Sequence, residues 1–189
     1  MSCLGLGGCT AEPAVDPAVD SVELPPMSDT SETGTSQVSV QLKSWEEVQE
    51  WVAQQKGKVV VVDIWSTFCT TCMREFPGFV ELNRKYPDQL AAASLSVDYY
   101  GGDAPESVVP RVEKFLESVN ATMTNFVSTD PDEHVLKQLE AASIPIALVY
   151  DQEGNLQKMF SNDAAEYGPE GFTYEANIEP LVQRLITGN

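Results

Sequence analysis

The chain has 189 residues, with 29 acidic side chains against 11 basic ones, a single histidine and a formal net charge of −18. That length and a hydrophobic fraction of 42% fit one ordinary domain. The negative balance argues against a nucleic-acid or anionic-lipid surface, because phosphates would be repelled over the whole molecule, and one histidine excludes multi-histidine metal sites.

Residues 1–35 hold Glu12, Asp16, Asp20, Glu23, Asp29 and Glu32 and no Lys or Arg. Rich in Pro, Ser, Thr and Gly and lacking aromatic residues, this stretch cannot bury enough apolar surface to offset its ordering entropy. The expected organisation is a truncated lipoprotein signal at 1–9, a disordered acidic linker at 10–36 and one folded domain at 37–189. Leu6-Gly7-Gly8-Cys9 resembles a bacterial lipobox, which makes Cys9 a candidate lipid anchor. That reading takes the true start to lie upstream of Met1, because no basic or long apolar segment precedes Cys9, and places the domain outside the cytoplasm. With Met1 as the start, the expectation is a cytoplasmic protein in which Cys3 and Cys9 are incidental thiols.

Residues 38–42 alternate like a short strand. Ser44 then opens a helix, with Glu47 completing a capping box and Trp45, Val48, Trp51 and Val52 forming its apolar stripe. Val59-Val60-Val61-Val62-Asp63-Ile64-Trp65 is a β-branched run without alternation, as expected of a central strand covered on both faces. A helix at 70–86 and a strand at 90–97 follow, then a loop through Tyr99 and Tyr100. Val109, Val112, Phe115, Leu116 and Val119 mark a helix with Pro110 in its first turn. Residues 122–128 read as a strand, and 131–141 as a helix entered through Asp130. Strands at 144–150 and 156–160 flank a hairpin turn at 151–154, residues 161–175 are irregular, and Ile178, Leu181, Val182, Leu185 and Ile186 mark a final helix. The alternation implies a largely parallel sheet with helices on both faces, ending in an antiparallel hairpin.

Cys69-Thr70-Thr71-Cys72 stands where the buried strand hands over to a helix. Zinc would need two further ligands, and only Cys3, Cys9 and His134 remain; c-type haem attachment would need His where Met73 stands. At a helix N-terminus, unsatisfied N–H groups stabilise a thiolate at Cys69, and the spacing lets Cys72 turn back within the first helical turn to close a disulfide. Asp63 is the one acid in the apolar strand, and burying it unpaired costs several kcal/mol, on the order of 2–7, unless it stays partly protonated.

Residues 62–72 resemble the active-site strand and turn of the thioredoxin superfamily. Pro77, five residues beyond Cys72, matches the proline that bends the active-site helix, and Ile144-Pro145 matches the family's cis-proline. The resemblance covers 38–189, and the additional helix and strand between Tyr99 and Ser128 are similar to the insertion of TlpA/ResA-like thiol–disulfide oxidoreductases. It implies a thioredoxin-like α/β fold: a central mixed sheet, helices on both faces, and an inserted helix–strand before the cis-proline half. It also implies that Cys69 attacks a substrate disulfide, Cys72 resolves the mixed disulfide and Asp63 exchanges protons with Cys72. The Ile144 backbone beside Pro145 would hold an extended substrate segment. Phe68 and Trp65 flank the pair, Phe68 as an apolar platform for the substrate and Trp65 as core packing with one edge near the disulfide. The Lys that thioredoxins often place near the buried acid is missing from 90–97. Tyr99, Tyr100 and the solvated His134 carry no assigned role.

Thr70-Thr71 lacks the His of strongly oxidising members, so the Cys69 thiolate gains less stabilisation and the couple is expected to be reducing. The resemblance implies protein thiols and disulfides as partners, an upstream electron donor, no cofactor and a monomer. Peroxiredoxin chemistry lacks its motif, since the position seven before Cys69 is Val62, and the Sco-type copper chaperones space their cysteines differently. The non-enzymatic alternative is a thioredoxin-fold binding module in which the pair is structural.

Overall fold

The computed structural model describes residues 37–163 and 165–188. Cys3, Cys9 and the expected linker lie outside them. β-Branched residues set the centre of the domain. β2 (Val59–Trp65) is buried along its whole length, and β3 (Leu90–Ser96) beside it is equally enclosed, as a run without alternation requires. The sheet has six strands in the order β1-β4-β3-β2-β5-β6, with β1 (Gln41–Lys43), β4 (Thr124–Ser128), β5 (Ile146–Tyr150) and β6 (Leu156–Ser161). β1, β4, β3 and β2 run parallel; β5 is antiparallel to β2, and β6 to β5. The sheet is therefore mixed, with the antiparallel half beginning at the β2–β5 pairing.

Alternate residues of β2 divide the core. Val59, Val61 and Trp65 pack with Phe76, Phe79 and Leu82 of α2 (Thr70–Lys85), Val112 and Leu116 of α3 (Val109–Ser118), and Val182 of α5 (Glu179–Thr187). Val60, Val62 and Ile64 pack on the other face with Trp45, Val48 and Val52 of α1 (Trp45–Gln54) and Val135 of α4 (Asp132–Gln138). None of these helices is long and apolar enough to cross a membrane, among the described residues.

Local signals place most of these elements. Ser44 and Glu47 form both bonds of a capping box at α1, and Pro110 occupies the first turn of α3. Asp130 differs from expectation. Pro131 stands at the N-cap of α4, while the Asp130 carboxylate accepts from the backbone N–H of Trp45 at 2.8 Å, capping α1 from 85 residues away. β1 begins at Gln41 rather than 38, because only 41–43 find parallel partners in β4. Residues 161–175, expected to be irregular, contain a 3-10 turn (Ala165–Tyr167) and lead into a π-helical turn (Tyr174–Ile178).

Candidate active site

β2 ends at Trp65, and Ser66–Phe68 carry the chain to Cys69, the N-cap residue of α2. Cys69 and Cys72 are joined by a disulfide, with their Cα atoms 5.2 Å apart. The backbone N–H of Cys72 points at the Cys69 sulfur at 3.1 Å, one of the free amides that begin a helix. When the bond is reduced, this amide and the positive end of α2 favour a thiolate at Cys69. Cys69 is half-buried and Cys72 is enclosed, so an approaching molecule meets Cys69 first.

Asp63 lies between Val61 and Trp65, on the sheet face that packs Cys72, Phe76 and Phe79. It is buried, and burial pushes its carboxyl up to about 7; a hydrogen bond donated by the Tyr174 hydroxyl acts in the opposite direction. Burial first, then the adjacent Asp63 charge, holds the Tyr174 hydroxyl well above its ordinary value. Tyr174 therefore occupies the role of hydrogen-bond donor to the buried acid, where the sequence offers no Lys. Nothing local identified it, since it lies 111 residues from Asp63.

A second buried carboxylate holds the loop before Cys69. Asp98, just beyond β3, accepts from the Ser66 hydroxyl (2.7 Å), the Thr67 backbone N–H (3.1 Å) and hydroxyl (2.8 Å), and the Ser96 hydroxyl (2.8 Å). Arg111 of α3 stands 3.6 Å from the same carboxylate, donates to the Thr67 hydroxyl at 2.9 Å, and lies over the Phe68 ring at 4.5 Å. Phe68 is 63% exposed and faces Tyr100 at 6.0 Å between ring centroids.

The Ile144–Pro145 peptide is cis. Because β5 is antiparallel to β2 and Ile146 pairs with Ile64, the residues before Ile146 lie at the β2 end from which the Cys69 loop departs. Ile144, Phe68, Cys69, Val97, Tyr100 and Leu136 are among the residues lining a cavity of about 240 Å³ there.

No family model matches the chain. It is 24% identical over 102 residues to the thioredoxin-like protein YneN of Bacillus subtilis, covering 54% of this chain and 55% of that one. It is 25% identical over 111 residues to the thiol-disulfide oxidoreductase ResA of the same organism, covering 59% and 57%. The alignments thus span little more than half the length of these relatives. Among solved structures, a secreted disulfide oxidoreductase of Mycobacterium tuberculosis homologous to E. coli DsbE superposes with a TM-score of 0.53 at 19% identity, covering 70% of this chain and 86% of that one. This likeness shows the fold. The chain has a thioredoxin-like fold. Its sequence similarity runs to the thioredoxin-like and ResA-type thiol-disulfide oxidoreductases.

This thioredoxin-fold domain brings Cys69, Cys72, Phe68, Ile144 and Pro145 to one end of the sheet, with Asp63 on the face below. Trp65, expected as core packing with one edge near the disulfide and offered beside Phe68 as a substrate-flanking residue, has no exposed surface and is wedged between Phe76 and Phe115, each 4.8 Å away between ring centroids. Trp65 therefore supports the site from inside the core. Tyr100 lies beside Phe68, and His134 is exposed. Cys9 lies outside the described residues. Asp98 and Arg111 escaped notice because an acid after a strand and a base on a helix read as ordinary solvated charges.

Proposed function

We propose that the domain is a thiol–disulfide oxidoreductase that exchanges the Cys69–Cys72 dithiol with disulfides of protein substrates, acting as a reductant outside the cytoplasm. The observation that carries this reading is the asymmetry of the pair: an accessible Cys69 sulfur capping α2, with Cys72 enclosed within bonding reach. The Cys69 thiolate attacks one sulfur of a substrate disulfide, and the first substrate sulfur leaves as a thiolate. Cys72 then gives its proton to the Asp63 carboxylate and attacks Cys69, breaking the mixed disulfide. The substrate gains two electrons and is released as two thiols, and the enzyme is left with the Cys69–Cys72 bond. Phe68 and the Ile144 backbone beside Pro145 form the platform on which an extended substrate segment lies.

The reducing direction rests on the neutral Thr70-Thr71 pair, which adds no positive charge beside Cys69. The reduction potential of the couple is expected nearer to about −270 mV than to the roughly −120 mV of strong oxidants, measured by equilibration with glutathione. The extracytoplasmic setting is supported by the secreted character of the mycobacterial neighbour and by the lipobox-like Leu6–Cys9. Cys9 is proposed as the lipid attachment point, residues 10–36 as the acidic linker from it, and 37–189 as the catalytic domain.

Replacing Cys72 by Ser in the native host tests the activity. The variant should accumulate substrates disulfide-bonded to Cys69, released by dithiothreitol, whereas Cys69→Ser/Cys72→Ser should accumulate none. Equal capture by both would overturn the proposal.

A further inference from the structure

Tyr174 reaches Asp63 through a gap made for it. Its side chain comes from the π-helical turn before α5, crosses the face of α2 and ends with its hydroxyl on Asp63. At the crossing point α2 carries Gly78, where an added Cβ would stand 3.1 Å from the Tyr174 Cβ. A glycine inside a helix is unfavourable by about 1 kcal/mol relative to Ala, so its presence under a buried tyrosine is informative. The ring stacks on Phe79 at 5.1 Å, and the turn is fixed at both ends: Thr173 caps it through Ala176, and the Asn177 side chain accepts from the Thr173 backbone at 2.8 Å.

Among the described residues, no other group hydrogen-bonds the Asp63 carboxylate, and no cation faces it. The groups opposite in register are Ser94 on β3 and Ala147 on β5, neither charged. From α2 come Cys72 and, acting on Tyr174, the charge of Glu75, which is itself paired with Arg74. Tyr174 is thus the one polar contact through which the protein can tune this acid.

Resting on the oxidoreductase reading, we propose that Tyr174 is a positioning residue that keeps Asp63 available as the base for the resolving step at Cys72. An O–H donor binds a carboxylate more strongly than a carboxylic acid, so it favours the form able to accept the Cys72 proton. Being neutral, it does so without the full compensation a lysine would bring. Burial and the hydroxyl together leave the acid titrating at about 7, where it can both take and return a proton.

The test uses the full chain with Cys3 and Cys9 changed to Ser, prereduced and mixed in a single turnover with dithiobis(nitrobenzoate). Attack at Cys69 releases one nitrothiobenzoate, and resolution by Cys72 releases the second at a rate independent of reagent concentration. The second rate should rise through an inflection near pH 7. Tyr174→Phe, which keeps the ring, should move that inflection upward by about one pH unit and slow the step about tenfold at neutral pH. Asp63→Asn should abolish the inflection, and Tyr174→Phe should add nothing in that background. An unchanged inflection in Tyr174→Phe, at whatever thermal stability, overturns the proposal.

A carbon NMR titration of the unmutated protein removes dependence on the variant folding. The Tyr174 Cζ signal should follow the same titration as the Asp63 carboxyl, and a flat Tyr174 signal overturns the pairing. If the second release never occurs in the parent protein, the oxidoreductase reading fails and the kinetic role with it. The NMR result still decides the pairing itself.

Discussion

Asp63 enters the folded state with a penalty that depends on pH. Its carboxyl is raised from 3.8 to about 7, so between those values the folded chain holds a proton the unfolded chain has lost. Stability therefore falls as pH rises through this window, by about 4 kcal/mol in all for this one group. Glu47, Asp151, Asp163, Glu166 and Glu179, held low by hydrogen bonds, contribute with the opposite sign on acidification. The contribution of Asp63 is hence read as a difference. Asp63→Asn should unfold at higher urea than the parent at about pH 8, with the gap closing toward pH 4. A gap independent of pH would show that Asp63 is not the titrating group. Asp98 plays a different part, since four donors converge on it and three of them belong to the loop before Cys69. Asp98→Ala strands buried hydroxyls and should destabilise the domain by about 3 kcal/mol in denaturant unfolding. It should also slow the first, Cys69-dependent release of nitrothiobenzoate, with Asp98→Asn retaining more of both properties.

Helix α2 joins the two halves of the site, with Cys69 and Cys72 in its first turn and Gly78 under Tyr174. Gly78→Ala sets two effects against each other. Helix propensity favours Ala by about 1 kcal/mol, while the new methyl meets a ring that stacking, capping and the Asp63 bond prevent from moving, which costs about 1–3 kcal/mol. The expected result is net destabilisation in urea together with the pH shift of Tyr174→Phe; a stabilised variant would show that the ring can yield. What the sequence revealed at this scale follows from the range of each signal. The unbroken Val59–Trp65 run, the Ser44/Glu47 box and the two cysteines at a strand–helix junction are determined by neighbours, and local pattern located them. Asp130 capping α1, Tyr174 on Asp63 and Asp98 beneath Ser66 and Thr67 depend on which distant segments the sheet brings together. Trp65 falls between the two: its core packing beside the cysteines was legible from the buried strand, but its partners Phe76 and Phe115 depend on the packing of α2 and α3.

Charge acts over the whole molecule. Of the 29 acids and 11 bases, residues 1–35 contribute six acids and no base, so the domain itself retains 23 against 11. Lys43, Arg74, Arg84, Lys85, Arg111 and Lys158 are already in ion pairs, mostly exposed ones that contribute little and are screened by salt. Added salt should therefore chiefly relieve repulsion among the unpaired acids, and the melting temperature should rise between about 20 and 300 mM NaCl, where the Debye length shortens from about 20 to about 6 Å. The same field acts on substrates arriving at Cys69. Oxidised glutathione, an anion at neutral pH, should react faster with the reduced protein as salt increases, whereas cystamine, a dication, should react more slowly. Arg111 over Phe68 and Lys114 beside it are the local cations that could reverse this order. Arg111, however, is drawn toward Asp98, which leaves the long-range negative field in control at the distances where steering operates. If glutathione disulfide slows with salt and cystamine does not, the patch around Phe68 governs approach, and Lys114→Glu should then restore the order expected from net charge.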